Sequence, residues 1–467
     1  MNTEELNMRV KMMIKKAITM TSAVFFLAPA LLAPTLTLAK VDEEHAEQLG
    51  QNLTFVGAEH EGNKAGTIPA WTGGYSKEEK ALSDPYAGDQ ILFTIDKNNV
   101  ANYKDKLSSG QVALIHKYPE TYKINVYPTH RSAAYPQAIY DATKSNAIHI
   151  ELNAAASGLQ GGDRGYQQGV PFPVPQSAEE ILWNHFTRYR GGQIDRIIHR
   201  MAPQVNGKYT PYKIWQNMAF ANNVKGMDKD DNILFYFIGE NLEPARSAGT
   251  MTLVNETLDQ LKEPRKAWIY NAGQRRVRRA PQVAYDTPQN NSDGQATSDN
   301  LDMYNGSLDR YDWTLIGKKE LYIPYNNYKL HSKELSYDDI IQPGHVNSDL
   351  TRYELHRVWQ VEGKLKNGLR HVYKKRTFYI DEDTWQIAVA DHFDERGELW
   401  RIAESFHMNF HNADVPWYTA EAIYDLNSSR YLISGLSNEV KVPFRFGGMA
   451  KKSDFKPSAL RRKGGKH

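Results

Sequence analysis

His407 and His411 stand four residues apart, a spacing that on a helix would set two imidazoles side by side as half of a zinc site. Phe406, Met408 and Phe410, however, alternate with His407, Asn409 and His411, and a two-residue period describes a strand with one polar face. A hydrolase built on this chain would have to draw its acid and base from a constellation such as His407, His411 and Asp391. Asp228, Asp230 and Asn232 imitate the first ligands of a calcium loop. Ile233 stands where that loop needs glycine, though, and Gly239 where it needs a bidentate glutamate, so a turn before a strand fits better. The cluster Gly161-Gly162-Asp163-Arg164-Gly165 lacks the preceding strand and following helix of a phosphate cradle. No Gly-x-Ser-x-Gly elbow, His-Glu-x-x-His motif or Walker loop occurs. The chain has no cysteine, which removes disulfides, thiolate ligands, thiol nucleophiles and the cysteine that anchors a bacterial lipoprotein. These residues predict no catalytic centre, no metal and no cofactor.

The aromatic residues are a stronger signal. Nine Trp and 27 Tyr are many for a chain of low mean hydropathy, and they gather on segments that read as strands. Trp215, Phe235, Phe237, Trp268, Tyr270, Trp313, Trp359, Phe378 and Trp385 are the candidates for lining a pocket. Each taken singly reads more readily as ordinary core. Together they suit a concave face for an apolar ligand, because burying apolar surface contributes about 25 cal/mol per Å² without demanding placed polar partners.

The elements that would position them follow from pattern. Arg9, Lys11, Lys15 and Lys16 form a basic region, the apolar run Ala17 to Leu38 follows, and Thr37-Leu38-Ala39 is a small-x-small cleavage site. A signal peptide over residues 1–39, cleaved after Ala39, is expected; Pro29, Pro34 and the cleavage site argue against a membrane anchor. Taking four basic and two acidic residues with it, the signal leaves the totals of 57 and 55 balanced, so nothing points to nucleic acid. Charge is uneven nonetheless: residues 451–467 hold seven basic residues against Asp454 and are expected to be a solvated, disordered tail.

Residues 40–200 read as a turn-rich N-terminal arm with a helical and loop extension. Leu107 to Tyr118 has helical spacing, with Ser108 or Ser109 as N-cap and Pro119 as stop. Tyr122 to Tyr127 alternates as a strand, and Ser177 with Glu180 opens an amphipathic helix running to about Arg190. Residues 201–450 change character. Tyr209–Met218, Ile233–Ile238, Thr250–Val254, Arg265–Asn271, Glu320–Tyr325, Tyr353–Glu362, His371–Ile380, Gln386–Asp394 and Leu399–Phe410 are short aromatic or β-branched runs separated by turn residues. The pair Asn367-Gly368 marks a hairpin. A mainly β fold is predicted, a large antiparallel sheet with helices covering one face.

Several stretches also resemble a widespread proteobacterial family of unknown function whose members are labelled outer membrane lipoprotein-sorting protein. The resemblance rests on Leu53 to Glu59, Gly62 to Gly74, Gly169 to Pro175, Trp183 to Gly191, Ala267 to Tyr270, Gly273 to Pro281, Tyr311 to Trp313, Gly317 to Glu320, Pro324 to Asn326, Asp381 to Trp385 and Gly397 to Arg401. It implies an unclosed, LolA-like antiparallel β-barrel whose concave face, capped by helices, holds acyl chains. The strip Gln274 to Arg279 resembles the edge strand and turn of such carriers. Arg275, Arg276, Arg278 and Arg279 are thus candidates for docking a partner, with edge protection as the plainer alternative. The chain is about twice as long as the LolA and LolB carriers. Relatives look like companions of resistance-nodulation-division exporters and of outer-membrane β-barrel proteins. The resulting expectation is a periplasmic, non-catalytic carrier of a lipid or other hydrophobic ligand, free or associated with the outer membrane. The alternatives are the hydrolase above and a structural factor in envelope assembly.

Overall fold

A computed structural model describes residues 46–76, 82–161, 166–228, 231–280 and 285–464. The expected signal peptide, most of the Gly161–Gly165 cluster and Asp230 lie outside the described residues.

The first strands are β1 (Phe93–Ile95), β2 (Ile124–Val126), β3 (Glu151–Leu152), β4 (Leu159–Gln160), β5 (Gln193–Met201), β6 (Tyr212–Phe220) and β7 (Val224–Lys225). Next come β8 (Phe235–Asn241), β9 (Met251–Glu256), β10 (Lys266–Asn271), β11 (Arg276–Arg279), β12 (Tyr311–Pro324) and β13 (Tyr353–Leu365). The series ends with β14 (Lys375–Asp381), β15 (Ile387–Phe393), β16 (Leu399–Phe410), β17 (Val415–Asp425), β18 (Arg430–Leu436), β19 (Phe444–Phe446) and β20 (Ala450–Lys451). The α-helices are α1 (Ser109–Lys117), α2 (Gln137–His149), α3 (Ala178–Thr187), α4 (Tyr328–His331), α5 (Tyr337–Ile340) and α6 (Pro457–Gly464).

Sixteen strands form one sheet in the order β1-β2-β13-β14-β15-β16-β17-β18-β5-β6-β8-β9-β10-β11, with β12 added on β13 and β19 on β5. The end strands β1 and β11 do not pair, so the sheet is unclosed, as the family resemblance implied. Hairpins follow the turn chemistry: Gly368, at φ +81°, joins β13 to β14. α1 starts at Ser108, whose Oγ accepts from Gln111 N, and Asp391 on β15 in turn accepts from Ser108 Oγ at 3.0 Å and Gly110 N at 3.1 Å. At α3, Ser177 Oγ accepts from Glu180 N at 3.2 Å.

Both faces of the sheet are covered in the middle. On one, Ile181, Leu182, Trp183 and Phe186 of α3 pack on β14 to β17. On the other, Leu114 and Ile115 of α1 and Ile340 of α5 meet Phe406, Ala420 and Ile433. Every residue of β17 is accordingly buried, and burying one such Leu, Ile or Phe side chain contributes about 1.5–3 kcal/mol. Helices thus lie on both faces, α3 on one and α1 and α5 on the other.

Two expected boundaries also move. Residue 200 lies inside β5, which pairs with β18 and β6, and β1 and β2 of the extension belong to the same sheet. The N-terminal region is therefore built into the sheet, and its arm is fixed by contacts such as Trp385 Nε1 donating to the Val56 carbonyl at 3.0 Å. Nor is the C-terminus a disordered tail over its described residues: β20 pairs with β7, and Phe455 and Leu460 are buried against β8, β9 and β10. Lys451, Lys456, Arg461 and Arg462 are exposed while Phe455, Ala459 and Leu460 supply an apolar side that composition alone conceals.

Candidate functional site

The site follows from which side chains of β6, β8, β9 and β10 share a face. Met218 is registered with Phe237 and Gln216 with Gly239, Phe237 with Val254, and Thr252 with both Gly239 and Ile269. Cross-strand partners lie on the same face, so these residues make one surface. The intervening Trp215, Tyr236, Ile238, Leu253, Trp268 and Tyr270 make the other, packed under Phe455 and Leu460.

The first surface floors a cleft of about 750 Å³. Ile214, Phe235, Phe237, Val254, Ile269 and Leu301 supply its apolar wall. Gly239 keeps that wall open, since a Cβ there would stand 3.1 Å from Phe237 Cζ. Arg200, Arg246 and Arg265 also line the cleft, among hydroxyl and amide side chains.

A strap, residues 285–305, forms the remaining wall and is fixed at several points. Asp302, at φ +54°, accepts from Arg188 Nη2 at 2.6 Å and from Arg190, both just beyond α3. Asp299 accepts from Arg376 at 2.7 Å and is 3.0 Å from His371. Burial alone would raise both carboxyls, but these guanidinium groups hold Asp302 and Asp299 well below the usual carboxylate range. Arg200 Nη1 donates to the Asn290 carbonyl at 2.9 Å, Asn291 Nδ2 to Asn241 Oδ1 at 3.0 Å, and Arg265 Nη2 to the Asn305 carbonyl at 2.7 Å.

Of the nine aromatic candidates, Phe235 and Phe237 line the cleft. Trp215, Trp268 and Tyr270 are on the opposite face under the C-terminal segment, with Lys463 Nζ 4.4 Å above the Trp215 ring. Trp313, Trp359, Phe378 and Trp385 belong to the core beneath α3, where Trp359 stacks on Trp385 and Trp313 on Phe378. These seven lie outside the cleft, on the faces given. Strand alternation was legible in the sequence; which face meets a helix was not. The strap and Arg200, Arg246 and Arg265 were missed because nothing local marks them.

Arg276 and Arg278 are registered with Asn271 and Ile269, on the cleft face, and Arg279 with Trp268, on the other. Arg275 sits in the β10–β11 turn at φ +51°. All four are exposed on the terminal strand and its turn, and none forms an ion pair among the described residues.

The hydrolytic constellation does not assemble. Asp391 faces Ile402 across the register, and His407 lies five residues further along β16, about 16 Å away at the usual rise of a strand. His407 is buried with its ring 4.1 Å from that of Tyr325, and burial pushes its pKa well below the ordinary value. His411 Nε2 lies 3.0 Å from the Ser83 carbonyl. The two histidines sit along and just beyond a strand, not on a helix. Asp228 N donates to Asp231 Oδ2 at 2.8 Å, the geometry of a turn.

A group that sequence reading overlooked is His356, Asp381 and Asp383, whose donor atoms lie within 4.8 Å of one another. Asp383 accepts from Arg131 Nε at 2.9 Å and Nη2 at 2.7 Å, Asp381 from Thr384 Oγ1 at 2.6 Å, and His356 Nε2 lies 3.3 Å from Glu354. Burial and the neighbouring Asp383 push the Asp381 carboxyl well above its ordinary value. With Arg131 across both Asp383 oxygens, the arrangement is a buried charge network tying the segment around Arg131 to the β14–β15 turn.

Comparison with known proteins places the chain. A family model described as Protein of unknown function (DUF1329) matches residues 94–461. A Pseudomonas aeruginosa protein described as uncharacterized protein PA3922 is 52% identical over 446 residues, covering 94% of this chain and 97% of that one. Among solved structures, a DUF1329 family protein from Desulfovibrio piger is similar at 16% identity and a TM-score of 0.42, over 60% of this chain and 96% of that one. A LolA superfamily protein, NE2245 from Nitrosomonas europaea, is similar at 14% identity and a TM-score of 0.36, over 60% and 98%. Because the matched residues run from β1 into α6 and so take in the whole sheet, the cleft and its strap, the chain belongs to the DUF1329 family.

Proposed function

We propose that the protein is an exported, non-catalytic carrier that holds a lipid or other hydrophobic ligand in the periplasm and serves an envelope transport system. The observation that carries this reading is the cleft. Its volume, about 750 Å³, falls in the range of about 300–1,000 Å³ in which proteins hold small ligands. Phe235, Phe237, Val254 and Ile269 offer apolar contact there, on a sheet whose remaining faces are used for packing.

The basic and apolar run ending at Ala39 supports export. Among the described residues no helix is long and apolar enough to cross a membrane. The exposed arginines of β11 and its turn support docking to a partner, an exporter of the resistance-nodulation-division type or an outer-membrane β-barrel protein, because complementary charge steers encounter.

Native mass spectrometry of protein extracted gently from cell fractions tests the reading. A co-purified acyl or other apolar mass on a chain beginning at Lys40 is the expected result. A chain that retains Met1 overturns export. A ligand-free chain that takes up no added lipid overturns the carrier.

A further inference from the structure

The charge in the cleft is one-sided. Arg200, Arg246 and Arg265 line it, and among the described residues no aspartate or glutamate does; Asp302 borders an adjoining recess and is clamped by Arg188 and Arg190. Arg265 is matched by Glu256, its Nε 2.6 Å from the carboxylate. Arg200 and Arg246 form no ion pair among the described residues. Arg200, 6% exposed, donates to two neutral acceptors, Ser434 Oγ at 3.3 Å and the Asn290 carbonyl at 2.9 Å. Arg246 donates to the Tyr212 hydroxyl at 2.7 Å and lies against that ring. Tyr212 is also the cross-strand partner of Arg200. One tyrosine therefore relates both unmatched guanidinium groups at one end of the cleft. The apolar wall of Phe235, Phe237 and Val254 continues from there, and Arg276 and Arg278 lie on the same face at the sheet edge.

Arg200 is withdrawn from water with the charge of the buried Glu421 acting on it but no ion pair, while Arg246 is exposed and has a phenol for its partner; a buried guanidinium without an ion pair is poorly compensated. It forms its strongest hydrogen bonds with carboxylate or phosphate oxygens. Resting on the carrier reading above, we propose that the ligand is an anionic amphiphile: its chain lies on Phe235, Phe237 and Val254, and its acidic head, carboxylate or phosphate, is held by Arg200 and Arg246 beside Tyr212.

Calorimetric titration of the full exported chain tests this with three probes below their micellar concentrations: oleoyl lysophosphatidate, monoolein, which shares its chain and glycerol but lacks the phosphate, and inorganic phosphate. Lysophosphatidate should bind at least tenfold more tightly than monoolein, and rising salt should narrow that gap. Arg246→Gln, at an exposed position, should remove most of the gap while leaving monoolein binding and thermal unfolding unchanged; Arg200→Gln should also narrow the gap but lower the unfolding temperature, since it releases the Asn290 carbonyl and Ser434. Phosphate alone should bind at least a hundredfold more weakly than lysophosphatidate. Equal affinity for the two oleoyl probes overturns the anionic head and leaves the carrier standing. A gap that survives both substitutions overturns the assignment to these arginines. Phosphate binding as tight as lysophosphatidate identifies a free-anion site instead. If neither oleoyl probe binds, the carrier reading falls and this inference with it.

Discussion

The ring of Tyr236 stacks on that of Phe455, centroids 5.1 Å apart and planes 10° from parallel, while Phe237, the next residue, lies in the cleft wall. One strand thus serves two surfaces, and substitutions on β8 to β10 should separate into two kinds. Phe237→Asp should abolish co-purification of an apolar ligand with little loss of stability, because the side chain is only half-buried. Trp268→Ala should leave ligand content unchanged and lower stability by about 2 kcal/mol, through lost packing under the C-terminal segment. Native mass spectra and urea unfolding of the same two preparations check both outcomes; ligand loss in Trp268→Ala alone would reverse the assignment of faces.

The C-terminal segment should matter for stability. Leu460 is fully buried among Tyr236, Ile238 and Leu253, so Leu460→Ala should cost about 3 kcal/mol. Leu369→Ala, at an exposed position, should change unfolding by less than about 0.5 kcal/mol. A silent Leu460→Ala would return the tail to disorder.

Stability should fall as pH rises through neutrality, in part because of Glu404. This fully buried carboxyl accepts from Tyr353 Oη at 2.9 Å and from Gln111 Nε2 at 3.2 Å, and burial pushes it from 4.5 up to about 7. The folded state holds its proton more tightly than the unfolded chain does. Its contribution is therefore fully present below about 4.5 and lost as pH rises through about 7, a change of about 3 kcal/mol. Glu404→Gln has no proton to lose at this site, so wild-type stability should drop relative to the variant across that window. Urea titrations at pH 4.5, 6 and 8 measure the difference; parallel curves would show that Glu404 ionises freely.

Charge reversal at the sheet edge tests the docking proposal. Arg275→Glu with Arg276→Glu should abolish crosslinks to an envelope transporter while ligand content and unfolding stay unchanged, since both residues are exposed and without ion pairs among the described residues. If the wild-type protein yields no such crosslink in cells, the partnership is refuted and edge protection remains.

The sequence by itself determined where many of the strands and turns occur. Tyr212–Phe220, Phe235–Asn241, Met251–Glu256 and Leu399–Phe410 fall on runs with the period of a strand, and the Ser108 and Ser177 caps start the two helices they announced. Capping and alternation are local chemistry, decided within a few residues. β17 and β18 escaped because both their faces are buried, which erases alternation. α2 escaped because its cap, Pro136, makes no side-chain hydrogen bond and its buried face includes Ala142, Thr143, Asn146 and Ala147.

Only the tertiary structure decided which face of β6, β8, β9 and β10 is covered. Strand period sorts Phe235 and Phe237 from Tyr236, and Ile269 from Trp268 and Tyr270, yet both sets are apolar, so composition cannot say which meets the C-terminal segment and which meets solvent. That choice depends on Phe455 and Leu460, which lie far beyond β10 along the chain. The charge of the cleft has the same origin. Arg200, Arg246 and Arg265 are unremarkable in the sequence, and strand register with a strap anchored through Asp302 and Asn290 brings them around one apolar floor.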